Sequence, residues 1–197
     1  LRYLSEEIWP LIRKSIPDAI LNVYGAYPGQ KVMELHKLDN GFIIHGRVND
    51  AMEVTLKAKI SLAPIRFGAG IKGKLIEAMV CGTPSVTTTI GAEAMQFKDL
   101  WNGTIADSHK SFAEAAVELY NNVDKWNQAQ KNGFKIVSER FKAESHLPLF
   151  DQRLKDIDAN LDSHRSKDFT SKLMQQETVL GVKYFSMWIS EKDKNKS

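Results

Sequence analysis

Short apolar runs alternate along the first half of the chain with stretches in which apolar residues recur every three to four positions. Leu4, Ile8, Leu11 and Ile12 stand at helical spacing, with Ser5 placed as an N-cap and Pro17 past the end, which predicts a helix over 4–15. A strand is expected over 19–25, stopping at Gly25, then a short helix over 31–38 and a strand over 41–46. A helix over 50–58 leads into a strand over 59–64. After a Gly-rich turn the spacing predicts a helix over 72–81, with Gly82 as a left-handed stop. The next strand spans 83–88, where Pro84 is tolerated because it comes at the start.

Strands separated by one helix each are joined by crossovers, which forces parallel pairing. The strands read as nearly continuous apolar runs, as expected when both faces of a sheet are covered. The expected fold is therefore α/β, a Rossmann-like doubly wound parallel sheet over residues 1–140. Beyond Ser108 the pattern is helical, over 108–122, over 123–140 and again from Glu144, with a polar break at 162–167. Residues 141–197 form the expected C-terminal helical extension. Its last helix aligns Leu173, Leu180, Tyr184 and Trp188, flanked by Val179, Val182, Phe185 and Ile189, a band wide enough to require a partner surface. Glu191 to Ser197 reads as a solvated charged tail.

Composition narrows the possibilities further. With 197 residues, 43% hydrophobic and 26% charged, the chain can bury a core, so wholesale disorder is excluded. One cysteine excludes a disulfide framework, and no apolar run reaches the length of a membrane span. A net charge of +3 gives no case for nucleic acid. The chain opens at Leu1 and enters helical pattern at once, so a piece of a longer protein is expected.

The chemistry concentrates between Ala63 and Pro84. Here a strand gives way to a loop with Gly68, Gly70 and Gly73, two lysines (Lys72 and Lys74), and a helix carrying Glu77. The glycines permit positive φ and close approach of a ligand to the backbone. The unpaired N–H groups of a helix's first turn, at the positive end of its dipole, suit an anion. A diphosphate is the natural occupant, with Lys72 and Lys74 adding charge. Glu77, one turn deeper on Lys74's side of the helix, would repel phosphate but accept hydrogen bonds from a vicinal diol such as a ribose. Ile71, Leu75, Met79 and Gly82 form the stripe expected to face the sheet.

This stretch closely resembles the donor-binding domain of retaining glycosyltransferases of GT-B architecture, specifically the family-4-like group 1 enzymes. The matching positions are Pro64, Arg66, Gly68, Gly70, Lys72, Lys74, Glu77, Ala78, Gly82, Pro84, Val86 and Gly91-Ala92-Glu93. A weaker resemblance extends over about residues 1–140. It implies a transferase (EC 2.4 type, in polysaccharide biosynthesis) that moves a sugar from a UDP- or GDP-linked donor, without a metal or other cofactor. The acceptor would be a glycan or lipid-linked molecule. In the family pattern Glu77 holds the ribose; Arg66, Gly68, Ala69, Gly70, Ile71, Lys72, Lys74 and Leu75 border the diphosphate; Arg47 and Val48 border the base. Ala69 stands where many relatives carry a Glu aimed at the donor sugar. The resemblance further implies a second Rossmann-like domain bearing the acceptor site, to which the last helix crosses. The chain alone is then expected to be inactive. A cytoplasmic location is expected, with peripheral membrane contact by the full-length protein. No general base is assignable, so catalytic residues stay unassigned.

Other readings stand beside this one. Gly68 and Gly73-Lys74 fit P-loop spacing, but Leu75 occupies the position of the Mg²⁺-binding Ser or Thr. A nucleotide-binding or interaction module without transferase activity is the alternative that Ala69 favours. Glu77 also fits a surface ion pair with Lys74 or Lys72, Arg66 a structural role, and Glu93 either a sugar contact or the start of a helical turn. His45 reads as a packed or capped histidine. His36, His109, His146 and His164 lack metal spacing and are expected at the surface, and Cys81 is expected to be a buried, inert thiol.

Overall fold

The computed structural model describes residues 1–194, with the backbone alone at 169, 171, 172, 175–180, 193 and 194. The chain divides into two compact units, Leu1–Lys142 and a second from Ala143 onward. In the first, five parallel strands alternate with helices: α1 (Trp9–Ser15), β1 (Leu21–Tyr24), α2 (Gln30–Met33), β2 (Phe42–Gly46), α3 (Ala51–Leu56), β3 (Ser61–Ala63), α4 (Gly73–Val80), β4 (Ser85–Thr87), α5 (Thr89–Ala92), β5 (Gly103–Ile105), α6 (His109–Asn121) and α7 (Val123–Ile136). The second unit holds α8 (Ala143–Ala159), α9 (Leu161–Lys167) and α10 (Phe169–Lys194).

The strands fall into two hydrogen-bonded sheets, β1–β2 and β3–β4–β5, rather than one. One hydrophobic cluster nevertheless spans both. Phe42 and Ile44 of β2 and Val86 of β4 share it with Trp9, Ile12, Phe112 and Leu119, and Leu21, Val23 and Leu62 pack against it. A second cluster of Ala63, Leu75, Met79, Met95, Trp101 and Ile136 seats α4 on β3.

Several local expectations are corrected. Helical backbone begins at Arg2, and Leu4–Ile8 forms a π turn closed by the Trp9 N–H on the Leu4 carbonyl. Pro10 explains it: its ring clashes with an i−4 carbonyl and it has no N–H to give, so the preceding turn widens. Ser5 is buried within that turn and is no N-cap, and Leu11 lies at the partly exposed edge of the stripe. The helix expected over 31–38 shrinks to the single turn of α2, because His36 takes another role: its Nδ1 accepts from the Ile44 N–H at 3.1 Å. The polar stretch 162–167 is helical, lying within α9. α5 and β5 were not anticipated at all. On α10, Leu173, Tyr184 and Trp188 are exposed; Val179 and Leu180 lie outside the described side chains. The supposed tail is helical through Lys194, and 195–197 lie outside the described residues.

Candidate functional site

The carboxyl ends of β3, β4 and β5 are laced together by hydroxyl groups. Thr87 Oγ1 donates to the Ala63 carbonyl at 2.8 Å, and Thr88 Oγ1 donates to the Ile65 carbonyl at 2.5 Å. Thr88 Oγ1 also caps α5, accepting from the Gly91 N–H at 3.1 Å. Asp107, just past β5, accepts from the Thr89 N–H and hydroxyl. Those bonds to its charged form hold the Asp107 carboxyl below its ordinary value. The result is a rigid ledge at the strand ends, where parallel α/β sheets bind their ligands.

The loop from Arg66 to Lys72 leaves this ledge and enters α4. Gly68 at φ +149° and Gly70 at φ +70° use backbone conformations closed to most side chains. Gly73 does not, contrary to expectation, because it is already the first residue of α4. Among the described residues nothing stands within 4 Å of where a Cβ on Gly70 or Gly73 would project, so the loop faces open space there. Lys72 occupies the N-cap and supplies no side-chain acceptor to the helix. The Gly73 and Lys74 N–H groups consequently have no intramolecular acceptor among the described residues. The Lys72 N–H is taken, donating to Met95 Sδ at 3.4 Å.

α4 is pinned by its other face. Leu75, Ala78 and Met79 are fully buried, and Gly82 at φ +68° ends the helix, with the Thr83 N–H returning to the Ala78 carbonyl at 2.8 Å and the Gly82 N–H to the Met79 carbonyl at 3.1 Å. Ile71 departs from its expected place in this stripe: it precedes the helix and is 58% exposed. Cys81 is half-buried rather than buried; its Sγ lies 3.6 Å from the Met52 carbonyl, and desolvation followed by Asp50 and Glu77 raises its pKa.

The other expected site residues divide by location. Lys74 and Glu77 are exposed on the open side of α4, and Ala69 is exposed on the loop. Arg66 stacks over the Tyr3 ring, its Cζ 5.0 Å from the centroid. Arg47 is exposed and Val48 half-buried in the segment after β2. Nearby, His45 Nε2 pairs with Asn22 Oδ1 at 2.7 Å and stacks on Tyr24 at 4.7 Å. Lys72 points inward: its side chain is 8% exposed, and Nζ lies 3.9 Å from Glu93 Oε2. The threonines and Asp107 escaped the sequence reading; polar residues at consecutive strand ends were the only signal. Among the described residues no cluster of three or more His, Cys, Asp or Glu is placed to hold a metal, and no helix is long and apolar enough to cross a membrane.

Comparison with known proteins agrees with this architecture. The family model described as glycosyl transferases group 1 matches residues 1–122, and the chain belongs to that family. No curated protein matches it. Among solved structures, it is similar to the pneumococcal O-GlcNAc transferase GtfA in complex with UDP and GlcNAc (15% identity, TM-score 0.64, 79% of this chain and 32% of that one). It is similar also to Anabaena HepE in complex with UDP-glucose (18% identity, TM-score 0.64, 76% and 44%). A third is the C-terminal domain of the group 1 family protein LpcC from Francisella tularensis (23% identity, TM-score 0.56, 72% and 80%). The chain thus spans a third to under a half of the first two proteins and most of the LpcC domain.

Proposed function

We propose that this chain is the donor-binding half of a glycosyltransferase that moves a sugar from a UDP- or GDP-linked donor, with retention, to a glycan or lipid-linked acceptor held by a second domain. The observation that carries the reading is the uncapped start of α4. Two N–H groups without an acceptor among the described residues, those of Gly73 and Lys74, sit behind a loop open to solvent, and Lys74 itself is exposed. Such an end attracts a doubly charged phosphate through the dipole and direct donors together. Arg66, Gly68, Ala69, Gly70 and Ile71 complete the diphosphate loop, whereas Leu75, expected to border it, is buried against the sheet with its N–H on the Lys72 carbonyl at 2.9 Å. Glu77 accepts from the ribose hydroxyls, and Arg47 and Val48 border the base. The complexes of GtfA with UDP and GlcNAc and of HepE with UDP-glucose support this reading by their shared fold and their ligands.

Mechanistically, negative charge grows on the leaving diphosphate as its bond to the sugar breaks. Fixed N–H donors and Lys74 stabilise that charge without reorganising, which lowers the barrier electrostatically. The strand-end threonines hold the loop's takeoff in place, so donors at the start of α4 need no ordering at the moment of reaction. No metal is invoked in this step.

Ala69 favours a second reading, a nucleotide-binding module that transfers nothing. Calorimetry with UDP, GDP and ATP, with and without Mg²⁺, tests the first step common to both. Metal-independent binding of UDP or GDP that weakens about tenfold in Lys74→Ala is expected, the loss of one charge-assisted bond. Mg²⁺-dependent ATP binding would overturn the donor reading. Sugar transfer by the full-length protein separates the transferase from the silent module.

A further inference from the structure

A buried ammonium is costly unless an anion pairs with it. Lys72 Nζ is sealed from solvent and donates no hydrogen bond among the described residues. The carboxylate facing it, Glu93 Oε2, lies at 3.9 Å, close enough for attraction and too far for a hydrogen bond, while the Glu93 side chain is 64% exposed. The cation is inside and its partner stands in solvent. Glu93 is also fixed through the backbone: it follows α5, which Thr88 anchors to Ile65 at the start of the loop, and Ala94 at φ +60° turns the chain so that Met95 Sδ receives the Lys72 N–H. Residues 93–95 are clasped to Lys72 by main chain and side chain at once.

We propose that Glu93 reads hydroxyl groups of the sugar carried by the donor, with Lys72 as its positioning residue. A solvent-facing carboxylate beside a phosphate loop is wrong for phosphate and right for a diol, whose two O–H groups it can accept. Lys72 cancels its charge, so the diphosphate at Gly73 and Lys74 is not repelled. A nucleotide sugar carries a polyol on each side of its diphosphate, and the structure offers two carboxylates near the start of α4, Glu77 within the helix and Glu93 against its N-cap residue Lys72. Glu77 stands toward α3, since Cys81 one turn further on the same side approaches the Met52 carbonyl. Glu93 stands on the Lys72 side. The inference rests on the donor reading above and adds the residue pair that recognises the transferred group.

The test is calorimetry with UDP, UDP-glucose, UDP-GlcNAc, GDP and GDP-mannose on the wild type, Glu93→Gln and Lys72→Met. In the wild type one sugar nucleotide should bind about tenfold tighter than its parent diphosphate, the yield of hydrogen bonds to a charged acceptor. Glu93→Gln should bring that ratio near one while leaving UDP or GDP affinity within about twofold. Lys72→Met, an apolar replacement of similar length, should also collapse the ratio and weaken diphosphate binding at low salt, with the deficit shrinking as salt is added, because Glu93 is left uncompensated and salt screens its repulsion; a merely structural lysine would change neither. A ratio near one in the wild type, a ratio unchanged in Glu93→Gln, or equal loss of diphosphate and sugar nucleotide in Glu93→Gln would each overturn the assignment while sparing the donor reading. Binding of no nucleotide at all would overturn both.

Discussion

Thr89 gives Asp107 two hydrogen bonds, its N–H to Oδ1 at 2.8 Å and its hydroxyl to Oδ2 at 2.7 Å, and so ties the first turn of α5 to the end of β5. Both bonds favour the ionised form, which lowers the Asp107 pKa from 3.8. A carboxyl lowered on folding contributes stability that is present above its unfolded pKa and lost as pH falls through the lowered folded value. Wild type should therefore melt above Asp107→Asn at pH 6, and the two should converge as pH falls through about 4 toward 3. Asp107 is exposed enough to solvent that the gap should be no more than a few degrees. Thermal melts across that range check it, and a gap independent of pH would show that the ion is not the source.

Gly70 and Gly73 make opposite predictions although both face open space. Gly70 at φ +70° charges any side chain a strain of about 1 kcal/mol, so Gly70→Ala should lower stability by that amount. Gly73 is helical, and Gly73→Ala should leave stability unchanged or raise it by about 0.5 kcal/mol. Yet its new methyl would stand beside the free N–H groups of α4. UDP or GDP affinity should then fall in Gly73→Ala despite its intact fold. Chemical denaturation and calorimetry on the two variants separate the effects, and unchanged affinity in Gly73→Ala would place the diphosphate elsewhere.

What the sequence shows about this site follows from which forces are local. β3, α4 and β4 are legible because apolar runs, helical spacing and Gly82 each act within a few residues of themselves. The π turn over Leu4–Ile8 was legible only in hindsight, through Pro10. β5 is hard to see in the sequence because it is three residues long and begins at Asn102-Gly103, a pair with turn chemistry. In the fold Asn102 is buried instead, its Nδ2 donating to the Thr83 carbonyl at 2.9 Å, a partner 19 residues away. Glu93 and Lys72 were visible as charges, but that one is sealed and the other exposed depends on Met95 and the α5 turn, which no spacing encodes. The division of the strands into two sheets is likewise a matter of pairing between segments rather than pattern within them.

β5 offers a sharp stability test because its glycine is demanded by a neighbour rather than by a turn. A Cβ on Gly103 would lie 2.0 Å from the Ser85 carbonyl oxygen, and its φ of +132° is strained for any side chain. The clash is with backbone of β4, which the Asn102 carbonyl holds through the Ser85 N–H at 2.7 Å, so it cannot be relieved by a rotamer change. Gly103→Ala should cost about 3 kcal/mol or more. Gly29→Ala, at φ −66° with nothing within 4 Å, should stay within about 0.5 kcal/mol. Urea unfolding of both variants reads the difference directly; comparable losses would mean that β5 does not pair with β4 in this register.

Glu77 carries the claim that α4 reads a sugar along its side as well as a phosphate at its end. Its carboxylate is exposed, and no ion pair with Lys74 or Lys72 forms among the described residues, so it is available to a ligand. Replacing it with glutamine keeps the shape and one acceptor oxygen but removes the charge. The bond to a ribose hydroxyl should then weaken by about 1 to 2 kcal/mol, or roughly five- to thirtyfold in UDP or GDP affinity. Inorganic pyrophosphate has no hydroxyl to lose and should bind Glu77→Gln as well as wild type, or slightly better once the repelling charge is gone. Calorimetry with both ligands on both proteins gives the decisive ratio. Equal weakening would make Glu77 a general electrostatic or structural group, and the ribose would have to be read from another face.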